Sequence, residues 1–205
     1  NGVLPTPLYN SQLIESSGYL YLLGGKDSHS SVKSILKASV NDPLSWEISN
    51  FSLPEKLSNS CSAVIDGYIY LFGGSITSYL NSNKIYRASV NTPLNWKISN
   101  VLPYKIHGGV FFSIGDNGYL ITPGEVSSTR KSYGTRILRC NLSAPLQWQD
   151  TLRMVPGEVS NSQLAIIDDR IYLFGGSGSS VIFVSDQLIK FDLTLAKAES
   201  YSEKI

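Results

Sequence analysis

The chain is poor in charge: Asp, Glu, Lys and Arg make up 16% of its residues, against about a quarter in an average domain. Its formal net charge is +1, which provides no bulk attraction to nucleic acid or to an acidic membrane surface. Cysteine is scarce, with only Cys61 and Cys140. Two cysteines make no disulfide framework, and neither has a partner at metal-type spacing; free, partly buried thiols are expected. His29 and His107 are the only histidines. No carboxylate or cysteine stands at ligand spacing beside either, so a metal centre or a histidine base lacks its usual partners. No apolar run approaches the ~20 residues of a membrane-spanning helix. The glycine-rich stretch from Gly175 to Ser180 lacks the Lys-Ser/Thr ending of a phosphate loop, and no nucleophile elbow or Cys/His pairing is present. No cofactor is expected. The opening Asn1-Gly2-Val3-Leu4-Pro5 is neither an initiator nor a signal peptide, and reads as a cut inside a longer or processed precursor.

What the chain does have is repetition. Tyr68 to Gly74 reads Tyr-Ile-Tyr-Leu-Phe-Gly-Gly. Tyr19 to Gly25 and Arg170 to Gly176 are close copies, and Tyr119 to Gly124 is a worn one with Pro123 in the place of the first glycine. The period is about 50 residues, which calls for a repeat architecture before any other reading. Repeats are assigned to residues 3–52, 53–101, 102–154 and 155–205, forming one region over 3–205.

Each repeat opens on Leu-Pro or Val-Pro, as at Leu53-Pro54, where a proline marks the loop that leads into a new strand. A first apolar strand follows and ends at a tight turn: Ser17-Gly18, Asp66-Gly67, Asp116-Asn117-Gly118 and Asp168-Asp169. Such residues suit hairpins with positive φ, so the glycine-ending strand should fold straight back on the first. After the glycines comes a polar loop of variable length, then a third strand such as Lys84 to Val90. A turn built on Asn91-Thr92-Pro93-Leu94-Asn95-Trp96 and its counterparts is expected to lead into a short fourth strand beginning at the tryptophan. Trp46, Trp96 and Trp148 share this column, and Glu199 takes it in the last repeat. The fold class is all-β, with four-stranded antiparallel sheets.

These features together resemble the kelch motif, over almost the whole chain. The resemblance implies a β-propeller of radial sheets around a channel. It also implies that the loops after Gly-Gly and the loops leading into each repeat share one face. Propellers of that family usually have more than four blades. A piece of a larger propeller is the favoured reading; a four-bladed ring and an assembly completed by another chain remain open.

On that geometry the ligand-facing residues come from the two loop sets, where binding residues tend to sit on a rigid scaffold. The candidates are Asn10, His29, Asn59, Tyr79, Tyr104, His107, Arg130, Tyr133 and Asn161. The Asn-Ser pairs at Asn10-Ser11, Asn59-Ser60 and Asn161-Ser162 could ring a channel mouth, or could serve their own turns, which is the favoured role. The third repeat breaks the series with His107-Gly108-Gly109, and Arg130, Lys131, Arg136 and Arg139 make it locally basic. Repeated Asp66, Asp116 and Asp168 are explained by turn chemistry rather than by a glycosidase carboxylate pair. Three functions stay in view. The first is a non-catalytic module binding a protein or a glycan, with no nucleic acid and no membrane-spanning segment. The second is a carbohydrate-active enzyme of isomerase or hydrolase type, with its site around Tyr104, His107 and Arg130. The third is a structural or adhesive subunit. Low charge with abundant Ser, Asn and Tyr favours an extracellular or surface setting.

Overall fold

The computed structural model describes residues 2–125, 132–155, 160–167, 170–176, 188–191 and 199–201. Among these residues all regular structure is β, and every ladder between strands is antiparallel. Among them no helix is long and apolar enough to cross a membrane. The chain divides into two compact units, Asn1–Leu102 and Pro103–Ile205, so the division falls at the Leu-Pro that opens the third repeat.

In the first unit, β1 (Gln12–Ser16), β2 (Tyr19–Leu23), β3 (Ser34–Ser39) and β4 (Asp42–Ser52) lie in that order in one sheet. The second repeat follows the same path with β5 (Cys61–Ile65), β6 (Tyr68–Phe72), β8 (Leu80–Ser89) and β9 (Thr92–Ile106). Its post-glycine loop adds a short strand, β7 (Ser75–Thr77), hairpinned onto β8. The second unit holds β10 (Val110–Ile114), β11 (Asn117–Glu125), β12 (Ser132–Asn141) and β13 (Gln149–Val155). Its last sheet is β14 (Gln163–Ile167), β15 (Arg170–Phe174), β16 (Leu188–Phe191) and β17 (Glu199–Tyr201).

Turn chemistry explains the hairpins. Ser17 and Gly18 have φ of 53° and 78°, and Asp66 and Gly67 have 45° and 72°, as a two-residue turn matched to strand twist requires. The third hairpin sits earlier than the sequence suggests: Gly115, with φ 54°, carries the turn, and Asn117 and Gly118 already pair with Ile114 and Ser113. A glycine at the first central position supplies the positive φ there. The Asp168-Asp169 turn lies outside the described residues.

The fourth strands also differ from expectation. In the first two repeats they start before the tryptophan, at Asp42 and Thr92, so Pro43 and Pro93 lie in strands; in the third, β13 starts at Gln149, just after Trp148, with Pro145 in the turn as expected. β4 is the last strand of its sheet, and an outward position has no ladder bond for a proline to lose. The Pro-x-x-Trp spacing has its own use: Trp46 Nε1 donates to the Pro43 carbonyl and Trp148 Nε1 to the Pro145 carbonyl, each at 3.0 Å. Trp96 is instead packed in the core.

Each sheet has two faces, fixed by the period of two along its strands. One face, termed A, carries Ile14, Tyr21, Leu23 and Ile35 in the first sheet; the other, B, carries Ile69, Leu71, Tyr86 and Ala88 in the second. The core of the first unit is face A of the first sheet against face B of the second, with Leu53, Leu57 and Trp96 between them. The second unit repeats the scheme, with Phe112, Ile121 and Ile137 on face A of its first sheet against Ile171 and Leu173 on face B of its second.

The glycine pairs have one conformation in all three good copies. φ is 59° and 104° at Gly24 and Gly25, 57° and 103° at Gly73 and Gly74, and 63° and 103° at Gly175 and Gly176. A Cβ on Gly24 would lie 2.2 Å from the Leu57 carbonyl oxygen, and one on Gly74 2.8 Å from that of Ser58. Gly25 N–H donates to Leu57 O at 2.8 Å. The glycine pair thus meets the lead-in loop at backbone distance, which only glycine permits. The worn copy in the third repeat is shifted by one residue from its sequence alignment. Val110 pairs with Ile121 as Cys61 pairs with Phe72, so Thr122 and Pro123 occupy the glycine columns. No glycine exit forms there. β11 runs on through a bulge, and Gly124 and Glu125 pair with Ile106 and Lys105 at the end of β9, within the second unit.

Gly67→Ala, in an open turn with nothing within 4 Å of a new Cβ, should cost about 1–2 kcal/mol from backbone strain alone. Gly74→Ala adds the collision with Ser58 and should cost about 3 kcal/mol or more. Urea unfolding of the two variants tests this; equal costs would contradict the close approach.

Candidate functional site

The first unit holds four of the residues singled out in the sequence, Asn10, His29, Asn59 and Tyr79. Next to Asn10, Tyr9 and Lys26 form a two-way backbone bridge, with Tyr9 N–H to Lys26 O at 3.1 Å and Lys26 N–H to Tyr9 O at 2.8 Å. The Lys26 ammonium then lies 6.0 Å from the centre of the Tyr9 ring and donates to Ser78 Oγ at 3.4 Å. Ser78 and Tyr79 form the tip of the β7–β8 hairpin, where Tyr79 is 80% exposed. His29 is exposed in the neighbouring turn, its Nδ1 2.8 Å from Ser28 Oγ. Asp27 organises that turn by accepting from the N–H groups of His29 and Ser30, both at 2.7 Å. These backbone donors, Ser30 first and then His29, hold its carboxyl below the usual carboxylate range.

Beneath this surface the loops are knitted by serine. Ser31 Oγ lies 2.9 Å from Ser58 Oγ and donates to Ser75 O at 3.0 Å, and Ser31 and Ser58 are both buried. The loop after Gly25 is thereby joined to the lead-in loop of the second repeat. Polar groups buried there are satisfied by one another, as burial demands.

The asparagines have a backbone task. Asn10, Asn59 and Asn161 have φ of 57°, 51° and 59°, and Gly108 takes the same column with 61°. Asparagine tolerates the left-handed region better than most residues, and glycine tolerates it best. Asn59 N–H donates to Asn10 O at 3.0 Å, and Asn161 N–H donates to Gly108 O at 2.8 Å. His107-Gly108-Gly109 therefore keeps the turn while changing the side chains. Ser11 Oγ donates to Gly24 O at 3.0 Å, another structural bond. One side-chain group is left over: the buried Oδ1 of Asn59 has no hydrogen-bond partner among the described residues.

In the second unit Tyr104, the other strong candidate, belongs to a polar cluster. Arg136 on β12 donates to Asp150 Oδ2 on β13 at 2.7 Å, and its guanidinium lies 5.6 Å from the Tyr104 ring centre. Arg136 and Asp150 are only 19% and 18% exposed. Burial first, and then the Asp150 charge, hold the Tyr104 phenol well above the usual tyrosine range. At neutral pH Tyr104 keeps its proton and is not a base. His107 is half-buried, and its carbonyl oxygen lies 3.5 Å from Thr122 Oγ1. Arg130 lies outside the described residues. Tyr133 has its backbone in β12.

Asp150 was not among the sequence candidates, though a signal existed. Its column holds Ile48 and Ile98 in the first two repeats, so it is an acid where the siblings are aliphatic. The Arg136 column also carries Lys84, which is paired with Glu55, and Glu55 stands in the column of Tyr104. Tyr86 OH donates to Glu55 Oε2 at 3.3 Å. The second and third repeats thus place a cation of the third strand against the residue after Leu-Pro. In the second the partner is an anion; in the third it is an aromatic face, with Asp150 supplying the anion.

Cys61 and Cys140 are both buried and are not bridged to each other, and burial pushes the Cys140 thiol up to about 11. Among the described residues no three His, Cys, Asp or Glu side chains group to hold a metal. No protein-family model matches the chain, and no curated protein matches it.

Burial pushes the Tyr86 phenol up to about 12 from 10.0. The folded state therefore keeps a proton that the unfolded chain loses, and stability from this group is full below pH 10 and falls as pH rises to about 12. Tyr86→Phe should flatten that alkaline fall in urea titrations; an unchanged slope would contradict it. A double-mutant cycle on Arg136→Met and Asp150→Asn should give a coupling of about 1–2 kcal/mol, while a value near zero would mean a solvated pair.

Proposed function

We propose that the chain is a kelch-type β-propeller segment acting as a non-catalytic binding module, with a protein or glycan partner held by the loop surface. Support for the architecture comes from four repeats that each pair four antiparallel strands in the same order, and from the face A on face B packing within each unit. Support for the function comes from one observation above others. The β7–β8 hairpin occurs in the second repeat, and its tip holds Tyr79 in water beside a lysine already positioned on a second tyrosine. A large aromatic ring kept exposed on a braced hairpin is suited to stacking on a sugar or filling a pocket of a partner. The lysine and serine hydroxyls beside it supply orienting hydrogen bonds.

The enzyme reading, centred on Tyr104, His107 and Arg130, draws its support from the buried Tyr104–Arg136–Asp150 cluster. Against it, Arg136 is already neutralised by Asp150 and Tyr104 holds its proton at neutral pH. Such a cluster braces a sheet more readily than it transfers protons.

A combined glycan and peptide array tests the proposal, with Tyr79→Ala and Lys26→Ala beside the unmodified chain. Tyr79→Ala should weaken the selected ligand at least about tenfold, or 1.4 kcal/mol. Unchanged binding in both variants would sink the loop-surface reading, and turnover of a bound sugar would favour the enzyme.

A further inference from the structure

The repeats allow each face of each sheet to be compared with its own counterparts, and two faces fail the comparison. On face A, the last residue of the glycine-ending column is buried in three repeats: Leu23 at 2%, Phe72 at 0% and Ile121 at 1%. Its counterpart in the fourth sheet, Phe174, is 44% exposed. Ile167 on the same face is likewise exposed, whereas Ile65 in that column is buried. Tyr172 stacks on Phe174 at 6.5 Å between ring centres, an apolar strip that shares the face with Gln163 and Arg170.

On face B the exception is the first sheet. Leu71, Leu120 and Leu173 are each 0% exposed, but Leu22 in their column is half-buried. Leu13, paired across from Leu22, is 59% exposed, although Leu36 and Ala38, further across the same face, are buried. The lead-in residues repeat the pattern. Leu53, Leu57, Leu102 and Ile106 are buried, while Leu4 and Leu8 in the first repeat are half-buried.

Among the described residues, one face of each kind is thus left partly open: the β1–β2 part of face B at the first sheet, and face A at the fourth. Both unit cores show that a face A of this sequence packs on a face B of this sequence. We infer that a second copy of this chain covers them, head to tail, with face A of the fourth sheet of one copy on face B of the first sheet of the other. Such a contact is heterologous, because the two surfaces differ, and it closes into a ring or extends according to the rotation between copies. An apolar face left in water on a repeat protein is otherwise a liability, which ordinary repeats cover with a polar cap.

Sedimentation velocity of the 205-residue chain at rising concentration tests this, with Leu13→Lys and Phe174→Lys variants. Both positions are exposed, so each variant should keep the far-ultraviolet spectrum and thermal midpoint of the unmodified chain. The unmodified chain should self-associate, and each variant alone should show a dissociation constant raised at least about tenfold. An equimolar mixture of the two should associate again, because Leu13→Lys retains face A and Phe174→Lys retains face B. A monomer at every concentration would overturn the proposal, leaving these faces to some other cover. So would association that both variants leave unchanged, or a mixture that stays dissociated.

Discussion

At the end of its second strand the first repeat must leave the sheet while the lead-in loop of the second lies against the same backbone. In the first unit Gly25 donates to Leu57, and a single added carbon on Gly24 would reach the Leu57 oxygen at 2.2 Å. The chain solves this with two successive glycines at positive φ, a conformation and a clearance that no other residue offers together. The rest of the architecture depends on that junction. It positions Leu53 and Leu57 between two sheets, brings Ser31, Ser58 and Ser75 into one hydroxyl network, and sets Asn59 against Asn10. Where Thr122 and Pro123 stand in place of the pair, the strand continues and finds backbone partners in β9.

Much of this was legible in the sequence because it depends on local rules. Period, hairpin turns and apolar runs located the strands, since alternation and positive-φ residues act over a few positions. The errors were also local. Pro93 looked like a turn residue, yet the turn precedes it and the proline sits in a strand; Gly115 rather than Gly118 carries the third hairpin. The candidate site was less legible. The asparagine columns were visible, and their left-handed backbone explains them. The Arg136–Asp150 pair was not, because it joins residues 14 apart across a ladder whose register includes a bulge. Only the column comparison, acid against isoleucine, pointed to it.

Repetition makes unlike residues informative. The serine network and the glycine pairs serve the fold, and their recurrence fits that role. Tyr79, Lys26 and the third-repeat cluster break the pattern and are where chemistry departs from scaffolding. They do so in different ways. The Tyr79 hairpin exposes an aromatic ring on a braced tip, a feature for recognition. The Tyr104 cluster buries a paired charge, a feature for holding a sheet in register.

The first two repeats are joined through backbone contact between the glycine exit of one and the lead-in loop of the other. Amide hydrogen exchange followed residue by residue tests that joint most directly. Gly25 and Asn59, which lie in loops, should exchange as slowly as Leu71 and Ile85 in the core strands, because their N–H groups are held by Leu57 and Asn10 and open only with the unit as a whole. Exchange at the rate of exposed loop amides would show that the repeats are fastened some other way.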